Sequence, residues 1–312
     1  LQARKIQDIS QDYIVALVDF YKKNYRNALQ ILQAAMETSG GDAPWLYEAK
    51  ILEGNIYLTI GREKANYTEA MESFSQAEKV YQQVIEKGQS DIRGYMGLGR
   101  VLERKILIML NSKGGDLQPL VTEAITQYEK ALQIDPELVD VYVMKSWVYL
   151  WLGRSQVFAG KNPLEAFNQA IAAAQTVLKF QDDNFEAYTI VGIINRHLAE
   201  YQMQHGEDPT GDFQLAAWNF IKAIEFNPTY VLAYSGLGIV NIRKAEYEMS
   251  HGQDPNESLE KSISTFKKAL AINPQLLDLL NGLAGALWLK GEIMMSQGQD
   301  PRPTLLEAAQ SL

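Results

Sequence analysis

Apolar residues recur at helical spacing through most of the chain. After Phe185 they fall at Tyr188, Val191, Ile194, Leu198 and Tyr201, and after Pro209 at Leu215, Trp218, Ile221 and Ile224. Intervals of three and four residues put each series on one side of a helix, so these stretches predict two helices joined by a turn at Gly206–Pro209. No segment shows sustained alternation with β-branched residues, and essentially no sheet is expected.

The same pattern returns at a fixed interval. The stretches "LQIDPELVDVY", "LKFQDDNFEAY", "IEFNPTYVLAY" and "LAINPQLLDLL" end at Tyr142, Tyr188, Tyr234 and Leu280, a constant step of 46 residues. Tyr95 lies 47 residues before Tyr142, and Tyr47 lies 48 before that. A second landmark keeps the 46-residue step: Gly160-Lys-Asn-Pro163, Gly206-Glu-Asp-Pro209, Gly252-Gln-Asp-Pro255 and Gly298-Gln-Asp-Pro301. Two landmarks in register over four units predict a repeat array. The units run approximately 5–40, 44–90, 91–136, 137–182, 183–228, 229–274 and 275–312, the last cut off within its second helix, all in one solenoid spanning 1–312.

The turn chemistry follows from the residue types. Glycine takes the left-handed conformation that ends a helix. Aspartate caps the free N–H groups of the next helix, and proline is tolerated at the first helical position. Asp135-Pro136, Asn227-Pro228 and Asn273-Pro274 do a similar job between units.

The residues at these landmarks resemble the tetratricopeptide (TPR) pattern. One unit gives Tyr234, Leu237, Gly238, Ser262, Phe266, Ala269 and Pro274. The unit before it gives Tyr188, Val191, Gly192, Ala216, Phe220, Ala223 and Pro228, and an earlier one Tyr95, Leu98, Gly99, Ala124, Tyr128, Ala131 and Pro136. The resemblance covers nearly the whole chain and implies an all-α fold, an α-solenoid of antiparallel helix pairs wound into a right-handed superhelix. Gly99, Gly192, Gly238 and Ala284 would let the helices of a pair approach while large residues fill the gap between pairs. The departures are length and two substitutions. A standard unit has about 34 residues; the extra residues here fall around the turn and lengthen both helices. The Tyr142 unit has Ser146 for glycine and Asp182 for proline. The N-terminal pair, Ile6 to Ser39, has a short turn at Lys22–Asn24 and is similar to a standard unit.

A narrower resemblance rests on Ala199-Glu200-Tyr201 with His205 to Pro209, Ala245-Glu246-Tyr247 with His251 to Pro255, and Pro44 to Gly54. Long units with these features look like the TPR regions that follow the catalytic domain of bacterial serine/threonine protein kinases. That resemblance implies a regulatory or docking region in signalling. No kinase motif is present in the chain itself. The chain starts and stops in helical sequence without an initiator Met or a signal peptide, so it is expected to be a piece of a longer protein.

Charge and composition narrow the function classes. Thirty-eight acidic residues against 29 basic ones give a net charge of −9, which disfavours nucleic acid as a partner. Arg100, Arg104 and Lys105 read as a solvated helix face. The absence of cysteine removes disulfides, thiolate metal sites and thiol nucleophiles. The most apolar stretch, Val141 to Leu152, is broken by Lys145 and is too short to span a bilayer, so no membrane insertion is expected within the chain. The cytoplasm is the favoured compartment, with the periplasm open.

No catalytic constellation emerges, and neither an enzyme activity, a cofactor nor a metal is expected. His205 and His251 occupy equivalent positions that successive repeats keep apart, and each reads as a polar residue at a helix C-terminus. His197 sits mid-helix beside Arg196, facing either groove or solvent. Gly94, Gly97 and Gly99 lie on a first helix and read as packing. Ser112-Lys113-Gly114-Gly115 is a turn without phosphate-loop spacing, and Asp182-Asp183 reads as a cap.

The first helix of each pair lines the concave side of such a solenoid. Counting turns from the aromatic landmark puts Met96, Arg100, Glu103, Val143, Trp147, Leu150, Ile193, Arg196, Ile239, Ile242 and Trp288 on that face, with Gly285 among them. Its centre is apolar, and exposed apolar patches mark binding sites. A peptide or helix of a protein partner is the expected occupant. The alternative is a small apolar ligand held in the superhelical channel.

Overall fold

The computed structural model describes residues 11–39, 45–112 and 115–311. Among the described residues the protein is all-α, with fourteen helices and no strand. Ile6 to Ser10, Pro44, Lys113 and Gly114, named above, lie outside them.

Two compact units are present, Leu1–Val141 and Tyr142–Leu312. The first holds α1 (Gln11–Tyr21), α2 (Tyr25–Thr38), α3 (Trp45–Glu63), α4 (Tyr67–Lys87), α5 (Ile92–Asn111) and α6 (Gln118–Ile134). The second holds most of α7 (Val139–Phe158), then α8 (Leu164–Phe180), α9 (Phe185–Gln204), α10 (Thr210–Phe226), α11 (Val231–Ser250), α12 (Asn256–Ile272), α13 (Leu277–Ser296) and α14 (Arg302–Gln310). Within each unit a helix packs on its neighbours in sequence, and odd-numbered helices also meet, α3 with α5 and α9 with α11. Such nearest-neighbour packing is that of an α-solenoid. The twenty residues of α9 make it about 30 Å long.

The turns carry out what their residues dictate. Gly160, Gly206, Gly252 and Gly298 all have φ between +65° and +73°. At Gly206 the left-handed residue lets the Glu207 N–H reach the Gln202 carbonyl at 2.9 Å and the Gly206 N–H reach Met203 at 3.2 Å. This double bond pattern is the Schellman closure of a helix C-terminus. Just beyond it, the Asp208 carboxylate accepts the Thr210 N–H at 3.0 Å, as Asp254 accepts Asn256 and Asp300 accepts Arg302. Proline takes the cap position rather than the first helical one, and the Pro209 carbonyl accepts the Phe213 N–H at 3.0 Å.

Large rings and glycines set the helix spacing. Phe220 on α10 is fully buried between Gly192 of its own pair and Gly236 of the next odd helix. A Cβ on Gly236 would lie 2.3 Å from that ring. Phe266 sits likewise between Gly238 and Gly282, and Tyr81 between Gly54 and Gly97. Burying one such ring stabilises by about 1.5–3 kcal/mol. Where Ser146 replaces glycine, its hydroxyl donates to the Ala170 carbonyl at 2.7 Å, so the added polar atom is satisfied.

α10 forms where the spacing of Leu215, Trp218 and Ile221 predicts a helix, and these side chains are exposed on it, at 52%, 51% and 45%. The buried face of α10 is instead Phe213, Ala216, Phe220 and Ala223, because small residues beside one ring fit the glycine clamp. Lys105 is not on a solvated face: it is buried and ion-paired with Glu78 across α4 and α5. Asp182 and Asp183 are exposed in the turn, and Asn184 caps α9 by accepting the Ala187 N–H at 2.9 Å. His197 faces neither groove nor solvent but lies buried in a charge cluster described below.

Candidate functional site

The odd-numbered helices carry the residues expected to face a partner, and the structure divides them. In the first unit Arg100 is exposed and Met96 half-buried. Burial raises the Glu103 carboxyl above its ordinary range, against the opposing charges of Arg104 and Arg100 and a long 3.5 Å hydrogen bond from Tyr128.

In the second unit Leu150 is 0% exposed and Val143 8%, so both side chains belong to the core and offer no surface to a partner. Hydrophobic side chains reach that depth because the long α7 is apolar nearly all round. Trp147 is half-buried and stacks on the buried Trp151 with ring centroids 5.8 Å apart. Ile193, Ile239 and Ile242 are half-buried against neighbouring core clusters. Trp288 stands out at 56% exposed, its indole N–H donating to Glu292 at 3.0 Å.

Toward the C-terminal ends of α7, α9 and α11, the second unit carries a charge cluster. Glu200 is its centre. One carboxylate oxygen takes Arg196 Nη1 at 2.6 Å and Arg243 Nε at 3.4 Å; the other takes His197 Nδ1 at 2.9 Å. Arg196 Nη2 lies 3.0 Å from His197 Nε2. Guanidinium can only donate, so Nε2 accepts and the proton sits on Nδ1. Burial, then the Arg196 charge, lowers the His197 pKa to about 4, and the imidazole is neutral at pH 7. Burial alone would raise the Glu200 carboxyl, but the hydrogen bond from His197 and the Arg196 charge bring it down to about 2. Phe167 of α8 stacks parallel to the His197 ring at 6.1 Å. Arg154 lies within the field of Arg196 and Glu200, and no protein group hydrogen-bonds its buried Nε.

Arg196 is the one member of this cluster that the sequence pattern places among the partner contacts. The others have a readable signal. Arg154, Glu200, Glu246 and Glu292 stand 46 residues apart, so one base occupies a position where three units carry an acid.

The even-numbered helices carry a second feature. Leu215, Trp218 and Ile221 form an exposed apolar stripe on α10, with Trp218 edge-on to Tyr188 at 5.9 Å. Beside Ile221 a cavity of about 530 Å³ opens between α10, α11 and α12, floored by Phe213, Leu237 and Val240 and rimmed by Lys244, Lys261 and Lys268.

Among the described residues no cluster of three or more His, Cys, Asp or Glu could hold a metal ion. His205 and His251 close their helices: each Nδ1 donates to a carbonyl one turn back, on Tyr201 at 2.8 Å and Tyr247 at 2.9 Å. No helix among the described residues is long and apolar enough to cross a membrane.

No family model and no curated protein matches the chain. Among solved structures, the chain is similar to TTC0263, a thermophilic TPR protein of Thermus thermophilus, at 16% identity over 75% of this chain and 99% of that one, with a TM-score of 0.49. It is also similar to YrrB, described as a TPR protein with an unusual peptide-binding site, at 20% identity over 80% and 95% with a TM-score of 0.38. MamA from Desulfovibrio magneticus follows at 14% identity over 72% and 97%, with a TM-score of 0.42. Likeness at this level does not extend to function. The helix pairs, their glycine-clamped rings and their turns are those of an α-solenoid.

Proposed function

We propose that this chain is a docking scaffold whose second unit holds a peptide or helix of another protein along its odd-numbered helices. The observation that carries this reading is Trp288. It occupies the position that Ile242 fills one pair earlier, yet leaves more than half of its surface in water. A tryptophan so placed is a binding anchor, and Ile239, Ile242 and Ile193 extend an apolar surface from it. Affinity capture with cross-linking tests the reading, with Trp288→Asp and Trp218→Asp as paired variants. Partners cross-linked to odd-numbered helices and lost from a folded Trp288→Asp variant support it. Loss from Trp218→Asp alone transfers docking to the α10 stripe and overturns it.

The wider setting proposed is the regulatory region of a cytoplasmic bacterial signalling kinase, on the strength of the repeated Ala-Glu-Tyr and His-Gly-x-Asp-Pro elements. A kinase domain encoded upstream in the same frame supports this; an upstream frame without one sinks it.

A second reading keeps the small-ligand sensor but moves its ligand from the superhelical channel to the cavity between α10, α11 and α12, whose volume suits a small molecule. Native mass spectrometry of the purified protein tests it: a retained ligand, displaced by Ala217→Trp, supports the alternative.

A further inference from the structure

The cavity between α10, α11 and α12 marks a place where the repeat changes its residues. Phe213, Leu237 and Val240 floor it, and one 46-residue step earlier the same positions hold Phe167, Val191 and Ile194, equally apolar. The walls differ. Ala217 stands where the earlier pair has Ile171, and Ser264 where it has Trp218. Two large apolar side chains thus give way to a methyl and a hydroxymethyl group, and about 530 Å³ opens above the floor. A space of that size takes a small organic molecule.

The rim changes in the same step. Lys244 and Lys261 stand where the earlier pair has Leu198 and Leu215, and Lys268 repeats Lys222. Three ammonium groups therefore border an apolar hollow in a chain whose net charge is −9. Their own partners hold them loosely. Lys244 reaches Glu248 only at 3.5 Å, and the Lys261–Glu257 pair is exposed at both ends. Exposed pairs of this kind contribute little and exchange readily. Glu260, the one carboxylate in the lining, is already ion-paired with Lys290.

We propose that this cavity binds a small single-tailed amphiphilic anion, its tail on Phe213, Leu237 and Val240 and its head among Lys244, Lys261 and Lys268. This rests on the second reading above, of the cavity as a ligand site, and adds the ligand's chemistry. Lysine suits the role because its charge is a point on a flexible stem, able to follow a carboxylate or a phosphate head. The methylenes of those stems also extend the apolar wall. Side-chain donors that might hold an uncharged head are turned to the backbone instead: Thr265 Oγ1 donates to the Lys261 carbonyl at 2.6 Å and Asn241 Nδ2 to that of Leu237 at 2.9 Å. A cationic head would meet three like charges.

Isothermal titration calorimetry on the full 312-residue chain tests the proposal with octanoate, octyl phosphate, octanol and octyltrimethylammonium. The expected result is that at least one of the two anions binds at least about tenfold tighter than octanol, with the cation weakest and the anion's advantage falling as salt is raised. The preferred anion identifies the head as carboxylate or phosphate. Lys244→Gln combined with Lys261→Gln should remove the advantage and leave octanol affinity unchanged. Ser264→Trp, which restores the residue of the earlier pair at an exposed position, should abolish binding of all four; Ala217→Trp serves the same end should that variant fail to fold. Equal affinity for the anions and octanol overturns the anion proposal and leaves the cavity as a ligand site. Undiminished anion binding by a folded Ser264→Trp variant places the amphiphile elsewhere and overturns the proposal. Failure of all four to bind the folded protein also overturns it, while a retained ligand of other chemistry, displaced by Ala217→Trp, would still uphold the cavity reading.

Discussion

Arg196 donates to Nε2 of His197 at 3.0 Å, and the same imidazole donates from Nδ1 to Glu200 at 2.9 Å. One neutral histidine thereby relays between a base and an acid four residues apart. Protonation would put a donor against the Arg196 guanidinium and a second positive charge into a buried site.

The pH dependence follows. The folded pKa of His197 is about 4 against 6.5 for a free histidine, so between these values the unfolded chain binds the extra proton. The stability this group contributes is fully present above 6.5 and is lost as pH falls toward 4. By the linkage relation the full loss is on the order of 3 kcal/mol. Chemical denaturation at stepped pH should show a steeper decline between pH 6.5 and 4 in the wild type than in His197→Gln. Identical slopes would contradict a buried neutral imidazole.

Glycines in this chain fall into separable classes. Gly236→Ala puts a methyl group 2.3 Å from the Phe220 ring and is expected to cost about 1–3 kcal/mol. Gly285 is exposed within α13 with nothing near its missing Cβ, so Gly285→Ala should stabilise by about 0.5–1 kcal/mol. Urea titration of the two variants gives opposite displacements of the midpoint. Because Gly285 shares the expected docking face, a fall in partner affinity alongside higher stability would show that a partner backbone comes close there.

Gly206→Ala tests backbone conformation apart from packing. No atom lies near its missing Cβ, and its φ is +73°. The expected loss is about 1–2 kcal/mol, seen as a lower thermal midpoint. Gly206→Asn should recover part of it, since asparagine tolerates the left-handed region.

Arg154 makes its own stability prediction. Arg154→Met keeps the length of the side chain and removes the unmet charge, so the variant should be more stable by about 0.5–2 kcal/mol in the absence of any partner. A lower thermal midpoint would mean that the guanidinium is compensated in the free protein.

Much of the fold can be read from the sequence because its determinants are local. Gly206-Glu-Asp-Pro209 specifies its own turn within four residues, and Gly192 with Phe220 specifies a helix contact by residue size alone. The surface is harder. The series Leu215, Trp218 and Ile221 has the spacing of a buried face, but periodicity does not say which side of a helix meets its neighbour. Counting turns places Leu150 on the groove, whereas packing around the apolar α7 encloses it completely. The Arg154 cluster depends on three helices converging, and no local window contains it. Its trace lies in the 46-residue step, where one base interrupts a column of acids.

The glycine clamp gives the stack a direction. Each ring described belongs to an even-numbered helix, and each reaches forward, into a glycine of the pair that follows. Phe220 is thus covered by its own pair on one side and by α11 on the other. Removing a later pair strips the lid from the ring before it, whereas removing an earlier pair leaves every remaining ring enclosed. Fraying therefore travels more readily toward the N-terminus than away from it. A chain growing from that terminus holds one uncovered ring at its leading edge until the next odd helix arrives.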